Sequence, residues 1–93
     1  MKKQGNIDTV LDMVEAFLKG DMSCVDFQLD FPYEVQKRYQ KMAREDEEFA
    51  SLIDDRLVEN GVYKGEHLSD EAFRELIRKQ YLDVVEISDN GFL

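Results

Sequence analysis

The sequence predicts an all-α fold, a small antiparallel four-helix bundle whose second helix kinks near Pro32. Three observations carry that prediction. Four stretches repeat apolar residues at the three- and four-residue steps that gather them on one side of a helix. One proline and five glycines are too few for the turns of a small β-fold. The densest run of turn signals, between Phe17 and Phe27, stops one helix and starts the next, and connections this short favour antiparallel neighbours. Ninety-three residues make a single domain, which should bury roughly 60–65% of the surface its unfolded chain exposes.

The first helix is expected over 7–19. Ile7, Val10, Leu11, Val14, Phe17 and Leu18 form its stripe, with Asn6 as N-cap. Its other face carries Asp8, Asp12 and Glu15 rather than the Lys and Arg that anionic lipid attracts, so the stripe faces a core and not a membrane. Gly20 can take the left-handed conformation that ends a helix. Ser23 and Asp26 then have capping-box spacing, and Met22 and Phe27 flank them as a hydrophobic staple.

The second helix is expected over 24–43. Cys24, Phe27, Phe31, Val35, Tyr39 and Met42 keep helical phase through Pro32, which favours a kink over a break and restart. Lys37, Arg38, Lys41 and Arg44 gather near its C-terminal end, where cations complement the helix dipole. The third helix, 46–60, buries Phe49, Leu52, Ile53 and Leu57 and should stop at Gly61. At about 100° per residue, Glu47 and Asp54 line one flank of its outer face and Glu48, Asp55 and Glu59 the other, with Ser51 and Val58 between the rows. All five carboxylates should point to solvent together. The like-charge pair Asp55 and Glu59 costs the isolated helix a few tenths of a kcal/mol, so local stability does not explain the arrangement.

A loop holding Val62, Tyr63, Lys64 and the single histidine, His67, leads to the fourth helix, 70–86. Ser69 is its N-cap, Leu68 and Phe73 form a second staple, and Asp70 and Glu71 suit the first turn. Phe73, Leu76, Ile77, Gln80, Tyr81 and Val84 continue the inner face. Ser88 to Gly91 closes the chain as a turn. Phe17, Phe27, Phe49, Leu52, Phe73 and Leu76 are expected to share one core.

The net charge of −9 is concentrated. Residues 1–44 balance seven acids with seven bases, whereas 45–75 set eleven acids against three bases. Such a block repels phosphates and argues against direct nucleic-acid binding, and its natural complement is a basic partner. One cysteine excludes an internal disulfide. With no apolar run near the ~18 residues of a span and no signal-like stretch after Lys2 and Lys3, a cytoplasmic location is expected. No catalytic residues, cofactor or metal are expected. Cys24 lies in a helical first turn, where the dipole can lower a thiol pKa, but has only the distant His67 as a possible base, and a small buried thiol is the better reading. Asp89-Asn90-Gly91 matches part of a calcium loop without its closing Glu.

Taken together, the helix ending Ala16-Phe17-Leu18, the Met22-Ser23-x-x-Asp26-Phe27 entry, Gln36-Lys37-Arg38-Tyr39, the acidic third helix and Leu68-Ser69-Asp70 resemble the colicin D immunity family of bacterial self-protection proteins. The likeness runs from about Val10 to Val84. It implies an antiparallel four-helix bundle that binds a toxin nuclease domain, a tRNA-cleaving one in the best-known case, and blocks its basic active site with acidic side chains. Phe17, Leu18, Ser23, Phe27 and Tyr39 carry over as structural residues. The expected contact set is Glu47, Glu48, Asp54, Asp55 and Glu59, with Val58 as a small apolar anchor, in a one-to-one complex with the chain as a monomer. The alternative is a small acidic adaptor that binds a basic protein segment unrelated to any toxin. A toxin gene beside this one would separate the two.

Overall fold

The computed structural model describes residues 5–87, and among these the chain is helical with no strand. Helix α1 spans Asn6–Leu18, α2 Cys24–Glu45, α3 Glu47–Ile53 and α4 Asp70–Ile87, with a π-helical segment, Asp54–Tyr63, continuing α3 directly. Helix α1 packs on α2 and α4, α2 on α3, and the π-helical segment on α4, which closes the small antiparallel bundle. The expected turn from Ser88 to Gly91 lies outside the described residues.

The α1–α2 corner follows its sequence signals, with only the serine half of the expected capping box made. Gly20 has φ 93°, and the amides of Gly20 and Asp21 donate to the carbonyls of Phe17 and Ala16 at 3.0 and 2.9 Å, the paired bonds of a Schellman ending. Ser23 Oγ accepts from the Asp26 amide at 3.1 Å, which satisfies one of the orphan donors at the start of α2. Met22 packs against the core to which the buried Phe27 belongs. At the far end, Ser69 Oγ accepts from the Ala72 amide at 3.2 Å, as expected of a cap, whereas its staple partner Leu68 stays exposed.

The start of α1 corrects the expected N-cap. Gly5 holds that position and Asn6 is already helical. The orphan amides of Asn6 and Ile7 donate instead to the Glu45 carboxylate, at 2.6 and 3.1 Å, so the end of α2 caps α1 from across the bundle. Desolvation is the largest single influence on the Glu45 carboxyl and acts to raise its pKa, but the hydrogen bonds from the Asn6 and Ile7 amides and the Asn6 side chain together outweigh it and hold the carboxyl below its ordinary pKa.

Helix α2 runs through Pro32 without interruption. Proline removes one intrahelical bond, but Cys24, Phe27, Phe31, Val35 and Met42 all reach the interior along one phase, and a restart would turn the later ones away. The centre is aromatic. Phe17 stacks on Phe27 with centroids 4.3 Å apart, Phe27 on Phe31 at 4.7 Å, and Phe73 meets Phe17 edge-on at 5.6 Å. Each such pair adds about 0.5–1.5 kcal/mol beyond area burial. Phe49 joins this core as expected. Leu52 and Leu76 are only half-buried, and their neighbours Ile53 and Ile77 take the central positions.

The expected stop at Gly61 does not occur. Gly61 is buried within the π-helical segment, where an added Cβ would lie 3.0 Å from Ile77 Cδ1. The glycine serves close packing of this segment on α4, and the helical path continues past it to Tyr63.

Candidate partner-binding groove

The π-helical segment decides where the acidic side chains go. Bonds of the i→i+5 type wind the backbone more widely than an α-helix, so residues four to five apart, rather than three to four, fall in line. Asn60 reinforces this winding, since its side-chain amide donates to the Asp55 carbonyl five residues back at 2.8 Å. The line so formed is Asp54, Val58, Glu59 and Tyr63. Together with Pro32, Gln36 and Tyr39 of α2, it encloses an open groove of about 380 Å³.

The single acidic face expected from α-helical phase therefore divides in two. Asp54 and Glu59, assigned to opposite rows, share one wall of the groove. Glu48 and Asp55 line a shallower hollow with Ser51 and Leu52. Glu47 is exposed and lines neither. Val58 is corrected most sharply: it is 4% exposed, turned inward by the wider winding, and forms the groove's floor instead of an anchor standing between two rows.

Within the groove the carboxylates are not fully solvated. Asp54 is half-buried and its pKa is raised, first by desolvation and then by the charges of Glu59 and Asp55. Neither the Asp54 nor the Glu59 carboxylate makes a hydrogen bond or ion pair among the described residues. Asp55 does, with Arg56 at 3.6 Å, and Arg56 also reaches Asp83 at 3.1 Å. Tyr63 is 55% exposed at the groove's end, and Tyr39 is half-buried. Phenolic rings beside unpaired carboxylates over an apolar floor can take a guanidinium or ammonium group, which gains ion pairing and contact with the ring faces at once.

Tyr63, Gln36 and Pro32 were not among the expected contact residues. Tyr63 sits in a stretch that resembles a loop once Gly61 is taken as a stop, and no residue between Asp54 and Tyr63 announces π winding. Cys24 packs as a structural thiol. Cys24 is buried, its thiol donates to the Asp70 carbonyl at 3.7 Å, and burial, followed by the Asp70 charge, pushes its pKa up against the opposing Arg74. That guanidinium lies 4.4 Å from the Phe17 ring centroid and donates to the Phe17 carbonyl, where a cation complements the end of α1. His67 is exposed. Among the described residues no His, Cys, Asp or Glu cluster could hold a metal ion, and no helix is long and apolar enough to cross a membrane. The fold and groove define a small all-α bundle with an acidic, tyrosine-lined recess. No family model matches the chain, and no curated protein or solved structure matches it significantly.

Proposed function

We propose that this protein is an immunity-type inhibitor that binds a bacterial toxin nuclease one-to-one and covers its basic active site. The observation that carries the reading is the pair of unpartnered carboxylates, Asp54 and Glu59, held beside Tyr39 and Tyr63 over the Val58 floor. A partially desolvated acid attracts a cation more strongly than a fully solvated one, and tyrosine is among the residues that most often dominate binding energy. The resemblance to the colicin D immunity family points the same way. The protein has no reaction of its own on this reading, and Glu47, Glu48 and Asp55 steer encounter from the rim.

Where a nuclease domain is encoded beside this gene, that domain is the partner for the test. Asp54→Asn with Glu59→Gln should weaken that complex by roughly 2–5 kcal/mol if the pair contacts a buried Arg or Lys, whereas Glu47→Gln with Glu48→Gln should mainly slow association and flatten its salt dependence. Circular dichroism checks that both variants fold. Unchanged affinity for the first pair places the interface elsewhere, and absence of any toxin neighbour leaves the acidic adaptor as the reading.

A further inference from the structure

The outward face of α2 carries a row that the core does not use. Val25, Leu29 and Tyr33 are 64%, 69% and 61% exposed. Their i, i+4, i+8 spacing aligns them over about 12 Å of helix, on the side away from the buried Phe27 and Phe31. At roughly 100° per residue, Asp26 and Asp30 flank the row on one side, both exposed. On the other side Pro32 and Gln36 lead into the groove, whose opposite wall holds Asp54 and Glu59. Lys37, its ammonium 5.7 Å from the Tyr33 ring centroid, marks the end of the row, and beyond it the helix surface turns basic at Lys41 and Arg44.

An apolar row between two lines of carboxylates selects what can cover it. A second copy laid antiparallel across Leu29 would set Asp26 and Asp30 against their own counterparts, because a two-fold contact repeats the same patch on both sides. An anionic lipid surface meets the same repulsion. We infer that Val25, Leu29 and Tyr33 are the apolar half of the docking surface whose acidic half is the groove, and that its occupant is a basic amphipathic helix of the partner. The inference rests on the groove being the seat of that partner. Apolar side chains of the incoming helix cover the row, while its Lys and Arg pair with Asp26 and Asp30 on one side and with Asp54 and Glu59 on the other, a helix-in-groove arrangement. The dry centre then controls how long the complex lasts, and the flanking charges control how fast it forms.

The experiment uses the full chain and two synthetic peptides of about five helical turns. One is a Lys/Leu helix with leucines at i, i+4, i+7 and i+11; the other has the same composition scrambled so that no apolar face forms. The amphipathic peptide should bind about tenfold tighter or better and shift the amide resonances of Val25, Leu29 and Tyr33. Val25→Ser with Leu29→Ser, both at exposed positions, should erase that preference without changing circular dichroism, whereas Asp54→Asn with Glu59→Gln should weaken both peptides. Equal affinity for the two peptides, or an unaltered preference in the serine variant, overturns the inference. So does a wild-type dimer by sedimentation that the serine variant breaks, since the row would then belong to a second copy. If the neighbouring nuclease is inhibited equally by wild type and the serine variant, the row is dropped and the inhibitor reading stands. If the peptide preference holds but no nuclease binds, the inhibitor reading falls and the surface remains.

Discussion

The aromatic corner joining α1, α2 and α4 and the π-helical segment from Asp54 to Tyr63 sit in one bundle and obey opposite rules. At the corner the main local signals agree with the tertiary structure: Gly20 ends α1, Ser23 caps α2 through the serine half of the capping box, and Phe17, Phe27, Phe31 and Phe73 meet in the middle. In the π-helical segment the local signals are overruled. Gly61 does not stop the helix, Val58 turns inward, and Asp54 sits in a place that penalises its charge. Consistency across levels builds stability, and departures from it tend to gather at functional surfaces. The unpaired acids and exposed Tyr63 accordingly lie on the wider winding.

The largest expected effect tests that division directly. Phe27→Ala or Phe73→Ala removes a fully buried ring and should cost about 3–5 kcal/mol in denaturant unfolding. Tyr63→Ala, an exposed ring on the other region, should stay within about 0.5 kcal/mol. Comparable losses at Phe27 and Tyr63 would erase the distinction.

A smaller effect comes from the connection that follows the π-helical segment. A Cβ at Gly65 would lie 2.7 Å from Phe73 Cδ1 and 2.9 Å from Leu76 Cδ2. Gly65→Ala should therefore cost about 1–3 kcal/mol by overpacking. Nothing lies within 4 Å of the corresponding position at Gly20, so Gly20→Ala is penalised only by its φ of 93°. The two glycines thus separate crowding from backbone strain, and a thermal melt of each variant in which Gly65→Ala proves harmless would show that α4 yields there.

How much of this was legible follows from the physics of each region. The stripes of α1, α2 and α4, the Gly20 ending and the Ser23 and Ser69 caps are local patterns with 3.6-residue phase, and the structure follows them. The outward row of Val25, Leu29 and Tyr33 was equally available, as three apolar residues out of phase with Cys24, Phe27 and Phe31. The groove was not, because its lining depends on i→i+5 winding, and Asp54, Glu59 and Tyr63 share a side only after that winding is known. The cap on α1 was hidden for another reason: Glu45 lies 39 positions from Asn6, and only the closed bundle brings them together.

Removing that long-range cap should matter less than the clash at Gly65. Glu45→Ala leaves the amides of Asn6 and Ile7 without their acceptor, at about 1 kcal/mol, the usual magnitude for a lost N-cap. The pH dependence has a definite sign. The folded carboxyl has a lowered pKa, so the contribution is fully present above the ordinary glutamate value and fades as pH falls through the lowered one. Urea melts of wild type and variant should therefore converge in acid. A difference that persists at the lowest pH would mean that Glu45 acts by packing rather than as a charged cap.

Asp54→Asn should give the smallest change in stability and the only one of favourable sign. Folding raises the Asp54 pKa through desolvation first, then the charges of Glu59 and Asp55, so the folded protein holds this proton to higher pH than the unfolded chain does. Between the ordinary aspartate value and the raised one, stability falls as pH rises, and above that window the full cost of the buried charge remains. Asparagine carries no such charge. The variant should be more stable than wild type at neutral pH, by no more than about 0.5 kcal/mol for a half-exposed site, and the gain should vanish below the ordinary aspartate value. Added salt should shrink the part that comes from Glu59 and Asp55 while leaving the desolvation part. The same substitution should weaken the basic partner, so stability and affinity move in opposite directions at one residue. A destabilised Asp54→Asn at neutral pH would mean that the carboxylate supports the π winding itself, and the groove would then be a structural joint rather than a recess kept for binding.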